Sequence, residues 1–404
     1  MKSAKEEIIG LFNRYPKLLK SWLSELYPFT EAQIEKYSNS LNWTNLSLNE
    51  QIIWTPEFIH KYESKFDWDY GLCKNAALPW SIDFLSKYGS KFGSQELLSG
   101  NLGMPLTYEF LNHFKYKWNW HWLLINPAID WTEKMFHDFN IWDQNLSKAN
   151  GKNLWTEEFI LKNKDKLFWG HLCYNPKLPW TEELINKLKP NWKDSEKRRN
   201  PLTVTPWSGI SQNTGIPWTK EFISSNIHIP LITSYGLYWD GLSRNKALPW
   251  NQNLLEEYVD NWDWELLSYN NGVGFTVDQI EKYRDKINWK IKPFDRKSIS
   301  INTSLPWSEE LIDKYEDKWD WFGLSTNTGI PWNDLLIDRY LAKLQNTILF
   351  SNPSLPWSLD FVLKYEKYCF ECWSPIDILG LKKTLWEKLF RQFVNEGNID
   401  EILG

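Results

Sequence analysis

Between Leu305 and Tyr340 the chain reads LPWSEELIDKYEDKWDWFGLSTNTGIPWNDLLIDRY. Leu311, Ile312, Tyr315 and Trp319 form one stripe on a helix of about 3.6 residues per turn and do not form the face of a strand. Ser308 stands before the stripe and Glu309 and Glu310 open it, the order of an N-cap and an acidic first turn. The pattern predicts a helix A of roughly ten to twelve residues. Trp321 and Leu324 then predict a helix B of about two turns, with Asn327 at or just past its end. Pro331-Trp332-Asn333 starts the pattern again.

The anchor after the turn recurs at Phe29, Trp54, Trp80, Leu106, Trp131, Trp155, Trp180, Trp218, Trp250, Phe275, Trp307, Trp332 and Trp357. Most of the spacings lie within one residue of 25, a period characteristic of repeat arrays. Each anchor is followed by Thr, Ser or Asn, so each starts a helix. An aromatic at N′ can staple to N4, pairing Trp307 with Ile312 and Trp54 with Ile59. Lys61, Lys87, Lys162, Lys187, Lys282, Lys314 and Lys364 each lie four residues after an acid, which predicts intrahelical ion pairs rather than a basic binding stripe.

Five residues before the anchors stand Asn49, Asn75, Asn101, Asn126, Asn150, Asn175, Asn213, Asn245, Asn270, Asn302, Asn327 and Asn352. Asn tolerates left-handed backbone and bonds nearby peptide groups, so these residues are expected to shape the turn from B to the next A. Such recurrence speaks for a structural role.

A segment of about 25 residues cannot bury enough surface to fold by itself, so stability must come from stacking repeat on repeat. The expected architecture is all-α: an α/α solenoid, a superhelical array of about 13 short two-helix repeats. Its expected organisation is an N-terminal helical cap over 1–28, repeats over 29–373 and a C-terminal helical cap over 374–404, with insertions near 189–206, 226–238 and 288–298. A leucine-rich repeat shares the period and an Asn ladder, but it needs an alternating Leu-x-Leu strand. Here the residue two before the Leu is often polar, as at Glu265, Asp240 and His121, which favours helices.

With Trp-Asp-Trp-x-x-Leu-Ser-x-Asn followed by Leu-Pro-Trp-Ser-x-Glu, the chain resembles a Trp- and Asn-rich tandem repeat of bacterial proteins and of large DNA viruses. Asn126-Pro127, Asn175-Pro176 and Asn352-Pro353 carry the turn typical of that family. The resemblance spans about Phe29 to Trp373 and implies architecture without implying an activity.

Composition narrows the functional classes. Trp makes up 28 of 404 residues while Met makes up 3, so rigid aromatic packing carries much of the core. A net charge of -5 argues against a surface coated for phosphate. No apolar stretch reaches membrane-spanning length, and the four cysteines fit a reducing compartment, so a cytoplasmic location is expected. Six scattered histidines show no metal-ligand spacing, and Cys369-Phe-Glu-Cys372 is a lone CxxC without a second pair, so no metal or other cofactor is expected.

The interruptions of the repeat are the informative places. Lys189 to Arg199 carries five basic and two acidic residues, and Asn288 to Ser298 carries four and one. Ile227 to Tyr238 is apolar and aromatic. Insertions in solenoids tend to project from the binding face. Trp192, Lys197, Arg198, Arg199, Lys290, Lys292, Arg296 and Lys297 are therefore the candidate contacts for an acidic partner surface. The expectation is a non-enzymatic scaffold that binds a protein, as an adaptor, immunity or defence component. The alternative is a nucleic-acid-binding solenoid that uses the basic insertions and exposed aromatics.

Overall fold

The computed structural model describes residues 3–142, 149, 154–196, 206–227, 237–291, 297–370 and 381–404. The architecture is all-α, an array of short helices joined by tight turns. Among the described residues the only β pairing is an isolated bridge between Ile227 and Leu237. The chain forms two compact units, Met1–Asp130 with Pro356–Gly404, and Trp131–Leu355.

Helix A begins where the sequence places it. At all thirteen anchors the Thr, Ser or Asn side chain accepts a hydrogen bond from the N–H three residues on, as Ser308 does from Leu311 at 3.2 Å. The helix is shorter than its apolar stripe suggests. Typical copies such as Glu309–Lys314 and Ile82–Tyr88 have six and seven residues rather than ten to twelve. Tyr315 is the C-cap, and the chain continues as a turn, with Lys318 N–H bonding Tyr315 O at 2.9 Å. Trp319 explains the early stop: its indole N–H donates to Ile312 O at 3.1 Å and satisfies a carbonyl that a further helical turn would otherwise have taken. Trp118 and Trp262 do the same to Leu111 and Leu255.

The corner between B and the next A is built on the asparagines. Asn270 is buried; its Nδ2 donates to Ser243 O at 2.9 Å and Asn245 O at 3.2 Å, while its Oδ1 accepts from Gly272 N–H at 2.8 Å. Its own carbonyl accepts from Asn302 Nδ2 at 3.1 Å. The Asn270 and Asn302 side chains thus each fix their own turn and clasp the preceding one. In the first compact unit the ladder runs through Asn49, Asn75, Asn101 and Asn126. In the second it includes Asn213, Asn245, Asn270, Asn302, Asn327 and Asn352, and Asn213 reaches back to the carbonyl of Asn175. The anchor indoles complete the corner: Trp307 donates to Asn302 O at 2.9 Å and Trp332 to Asn327 O at 3.2 Å.

A second ladder runs through the Ser of helix B. Ser268 Oγ donates to Trp264 O at 2.5 Å, within its own helix, and accepts from Asn288 N–H of the next repeat at 2.9 Å. Ser47 and Ser325 repeat both bonds. This seam is tight. A Cβ on Gly241 would lie 2.5 Å from Ser211 Cβ, and one on Gly71 equally close to Ser47 Cβ. Gly241→Ala is expected to cost about 1–3 kcal/mol by overpacking, measured as a lower urea midpoint.

The lysine row pairs differently from its sequence spacing. Lys61 bonds Glu31 at 3.1 Å and Glu35 at 3.2 Å, Lys282 bonds Glu256 at 2.5 Å, and Lys314 bonds Glu281 at 2.9 Å, all acids of the preceding repeat. Lys187 adds its own-helix partner Glu183, at 2.8 Å. Neighbouring A helices lie side by side, and the ammonium groups of Lys61, Lys282 and Lys314 also sit over the following Tyr ring, 5.2 Å from the centroids of Tyr62, Tyr283 and Tyr315. The exposure of these pairs makes each of them weak and sensitive to salt.

Two tyrosines tie the same seam, Tyr315 donating to Glu281 and Tyr340 to Asp313. The Tyr315 hydroxyl, then the Lys314 ammonium, hold Glu281 down at about 2 against an ordinary 4.5. Burial, then the Asp313 carboxylate, push Tyr340 up to about 12 from 10.0. A depressed acid stabilises fully above its unfolded pKa, and a raised phenol stabilises fully below its own. Stability is therefore expected to fall from pH 4.5 toward 2 and from pH 10.0 toward 12, with Tyr340→Phe reducing the alkaline loss in urea titrations.

The chain ends meet within the first compact unit. Helices Ala4–Arg14 and Pro16–Leu26 precede the first repeat, and Leu381–Leu385, a π turn Trp386–Phe390 and Ile399–Leu403 lie near the C-terminus. Phe12 and Trp22 pack edge-on to Phe390 at 5.8 and 6.1 Å. Arg14 holds Glu366 through two nitrogens at 2.6 and 2.8 Å, and Lys382 reaches Glu25 at 2.6 Å. The N- and C-terminal segments thus cover one another.

Candidate functional site

The candidate contact residues separate into three kinds. Trp192 is a correction. It lies in a 15-residue helix, Glu182–Glu196, that carries the helix A pattern on through Pro190. Its side chain is 1% exposed, 6.3 Å from the Trp169 ring and 5.5 Å from Trp207. Burial removes it from any partner contact. Counting from the cap explains this: Trp192 follows Thr181 by the same interval as Trp319 follows Ser308, so it fills the core position of its own repeat.

Lys290 and Lys297 are described and already engaged. Lys290 Nζ donates to Trp319 O at 2.5 Å and Asp317 O at 3.3 Å, bracing the C-terminal turn of the next helix A. Lys297 lies 3.9 Å from Glu265, and its carbonyl accepts from Asn288 Nδ2 at 2.5 Å. Lys197, Arg198, Arg199, Lys292 and Arg296 lie outside the described residues, as does Cys372.

The cysteines are placed in the core. Cys73, Cys173 and Cys369 are buried, and Cys73 Sγ donates to Trp68 O at 3.1 Å in the slot that Ser fills elsewhere. Burial pushes Cys73 up to about 11 and Cys369 up to about 12, so both stay thiols at neutral pH and are poor nucleophiles. Among the described residues there is no cluster of three or more metal-ligating side chains. No described helix is long and apolar enough to cross a membrane.

Large apolar side chains that the repeat does not use remain outside. In the first compact unit Tyr116 is 87% exposed and Ile53 84%, with Leu102 and Trp122 also open; in the second, Leu335 is 74% exposed. These positions share no register in the repeat, so the period cannot reveal them. Their only sequence signal is an apolar residue off the helical stripe.

The recurring Asn, Ser and Lys groups are thus bonded to neighbouring repeats, and the residues that differ between repeats are not part of that pattern. No family model matches the chain, no curated protein matches it, and no solved structure matches it.

Proposed function

We propose that the protein is a non-enzymatic scaffold that binds a partner protein through its insertions and the adjoining surface. One observation carries this reading: the recurring Asn, Ser, Trp and Lys groups are bonded to neighbouring repeats, which leaves the non-repeating segments as the variable surface. The segments 189–199 and 288–298 are basic on an acidic chain, which suits an acidic partner face. The reading includes a role as an adaptor, immunity or defence component in the cytoplasm.

Affinity capture from the native cell with the full chain and with a Lys197→Glu, Arg198→Glu, Arg199→Glu variant tests it. The expected result is a protein, captured directly and reproducibly, that the triple variant loses. An equal yield from both chains would remove the insertion from the interface. Capture abolished by nuclease, together with oligonucleotide affinity falling steeply with salt, would replace a protein partner with nucleic acid.

A further inference from the structure

In twelve repeats the anchor is buried, and only Trp250 is partly exposed. A difference in sequence lies one repeat on. The residue before the anchor carries a side chain in every repeat except one, usually the ring of Pro, and the exception is Gly274. A Cβ built there meets nothing within 4 Å. A cavity of about 430 Å³ opens beside it, lined by Trp250, Asn251, Glu256, Gly274, Asp278 and Lys282 among others. The indole is held in place, its N–H bonded to Asn245 O at 2.9 Å and its ring 5.1 Å from Trp262.

The repeats themselves show what such a setting holds. Elsewhere an ammonium lies over an aromatic ring and against a carboxylate, as Lys61 does with Tyr62 and Glu31, or Lys314 with Tyr315 and Glu281. At Trp250 the ring and the carboxylates are present, and among the described residues no cation lies over the ring. Lys282, the cation in the lining, is committed to Glu256 at 2.5 Å and to the Tyr283 ring at 5.2 Å. Asp278 has no ion pair among the described residues, so the three charged side chains of the lining carry a net negative charge beside a partly exposed indole.

We propose that this cavity binds an organic cation, a guanidinium or alkylammonium group seated on Trp250 and paired with Asp278. The site stands independently of the insertions and of any macromolecular partner. The cation could be supplied by a free small molecule or by a basic side chain on another chain, and the chemistry is the same. One cation–π contact with one carboxylate supports a millimolar dissociation constant.

Calorimetric titration of the full chain with N-acetyl-arginine amide tests the proposal, with the neutral isostere N-acetyl-citrulline amide and methyl glucoside as controls. The expected result is saturable one-site binding, at least tenfold weaker for the citrulline compound and absent for the glucoside. Gly274→Pro places in the cavity, beside Trp250, the ring most repeats carry and removes no described backbone bond, so it should abolish binding while leaving the far-ultraviolet circular dichroism unchanged. Asp278→Asn should weaken binding at least tenfold. A pentapeptide with a central arginine that binds tenfold tighter than the amide assigns the site to a partner's side chain, and equal affinity assigns it to a free cation. No saturable binding, equal binding of citrulline, preference for the glucoside, or undiminished binding to folded Gly274→Pro would overturn the proposal.

Discussion

Exchanging Asn270 for aspartate is expected to lower the unfolding free energy by about 4 kcal/mol, because two buried carbonyls lose their donors at ~1–3 kcal/mol each and a carboxylate replaces an amide. The change is isosteric, so packing is left alone and the effect reports the hydrogen bonds. Asn270 Nδ2 serves Ser243 O and Asn245 O, both in the preceding repeat. An aspartate oxygen placed there repels both. Urea unfolding at neutral pH measures the loss; a change below about 1 kcal/mol would show that the ladder is dispensable, since even one unsatisfied buried acceptor costs that much.

Trp319→Ala is the second large effect, expected at about 4–5 kcal/mol for a fully buried indole. Trp319 is 0% exposed and touches three rings, Trp289, Trp307 and Tyr315, at 5.0, 5.0 and 6.1 Å. Trp289 belongs to the preceding repeat, so the loss falls on the stack as well as on the single brick. Trp319→Phe separates the two contributions. It keeps most of the aromatic contact and removes the bond to Ile312 O, with an expected cost of about 1–2 kcal/mol. Should alanine and phenylalanine prove equally damaging, the indole N–H rather than its volume would be the main contribution.

The period, the helix starts and the all-α class are visible in the sequence because each rests on local chemistry. A Thr at position 55 or a Ser at 308 caps whatever helix follows, and the cap needs no distant residue. Helix ends are another matter. Tyr315 and Trp319 fit one helical stripe, and only the reach of an indole back to Ile312 shows that the helix has already stopped. The Ser ladder was equally hidden: Ser268 reads as a bland small residue until the N–H of Asn288, twenty residues on, is seen to bond it. Lys282 has an acid four residues earlier in Asp278, which suggests an intrahelical pair, yet the side-by-side packing of A helices offers Glu256 instead. Trp192 differs from its sequence expectation for a related reason. The basic residues around it suggest a surface loop, whereas its distance from Thr181 marks it as core. The cavity at Trp250 has a sequence signal, glycine where most repeats carry proline, but only the structure shows the open space beside that glycine.

The measurement that bears most directly on the central claim is amide hydrogen exchange in the Asn270→Asp protein. The N–H groups of Ala77, Gly103, Ala247, Gly272, Ser304 and Gly329 are each bonded to the Oδ1 of the asparagine two residues before. If asparagines couple each repeat to its neighbour, protection should fall at Ala247, Gly272 and Ser304 and persist at Ala77 and Gly103. Unchanged protection around Gly272, or an equal loss at all six positions, would contradict a stack held together neighbour to neighbour by its asparagine corners.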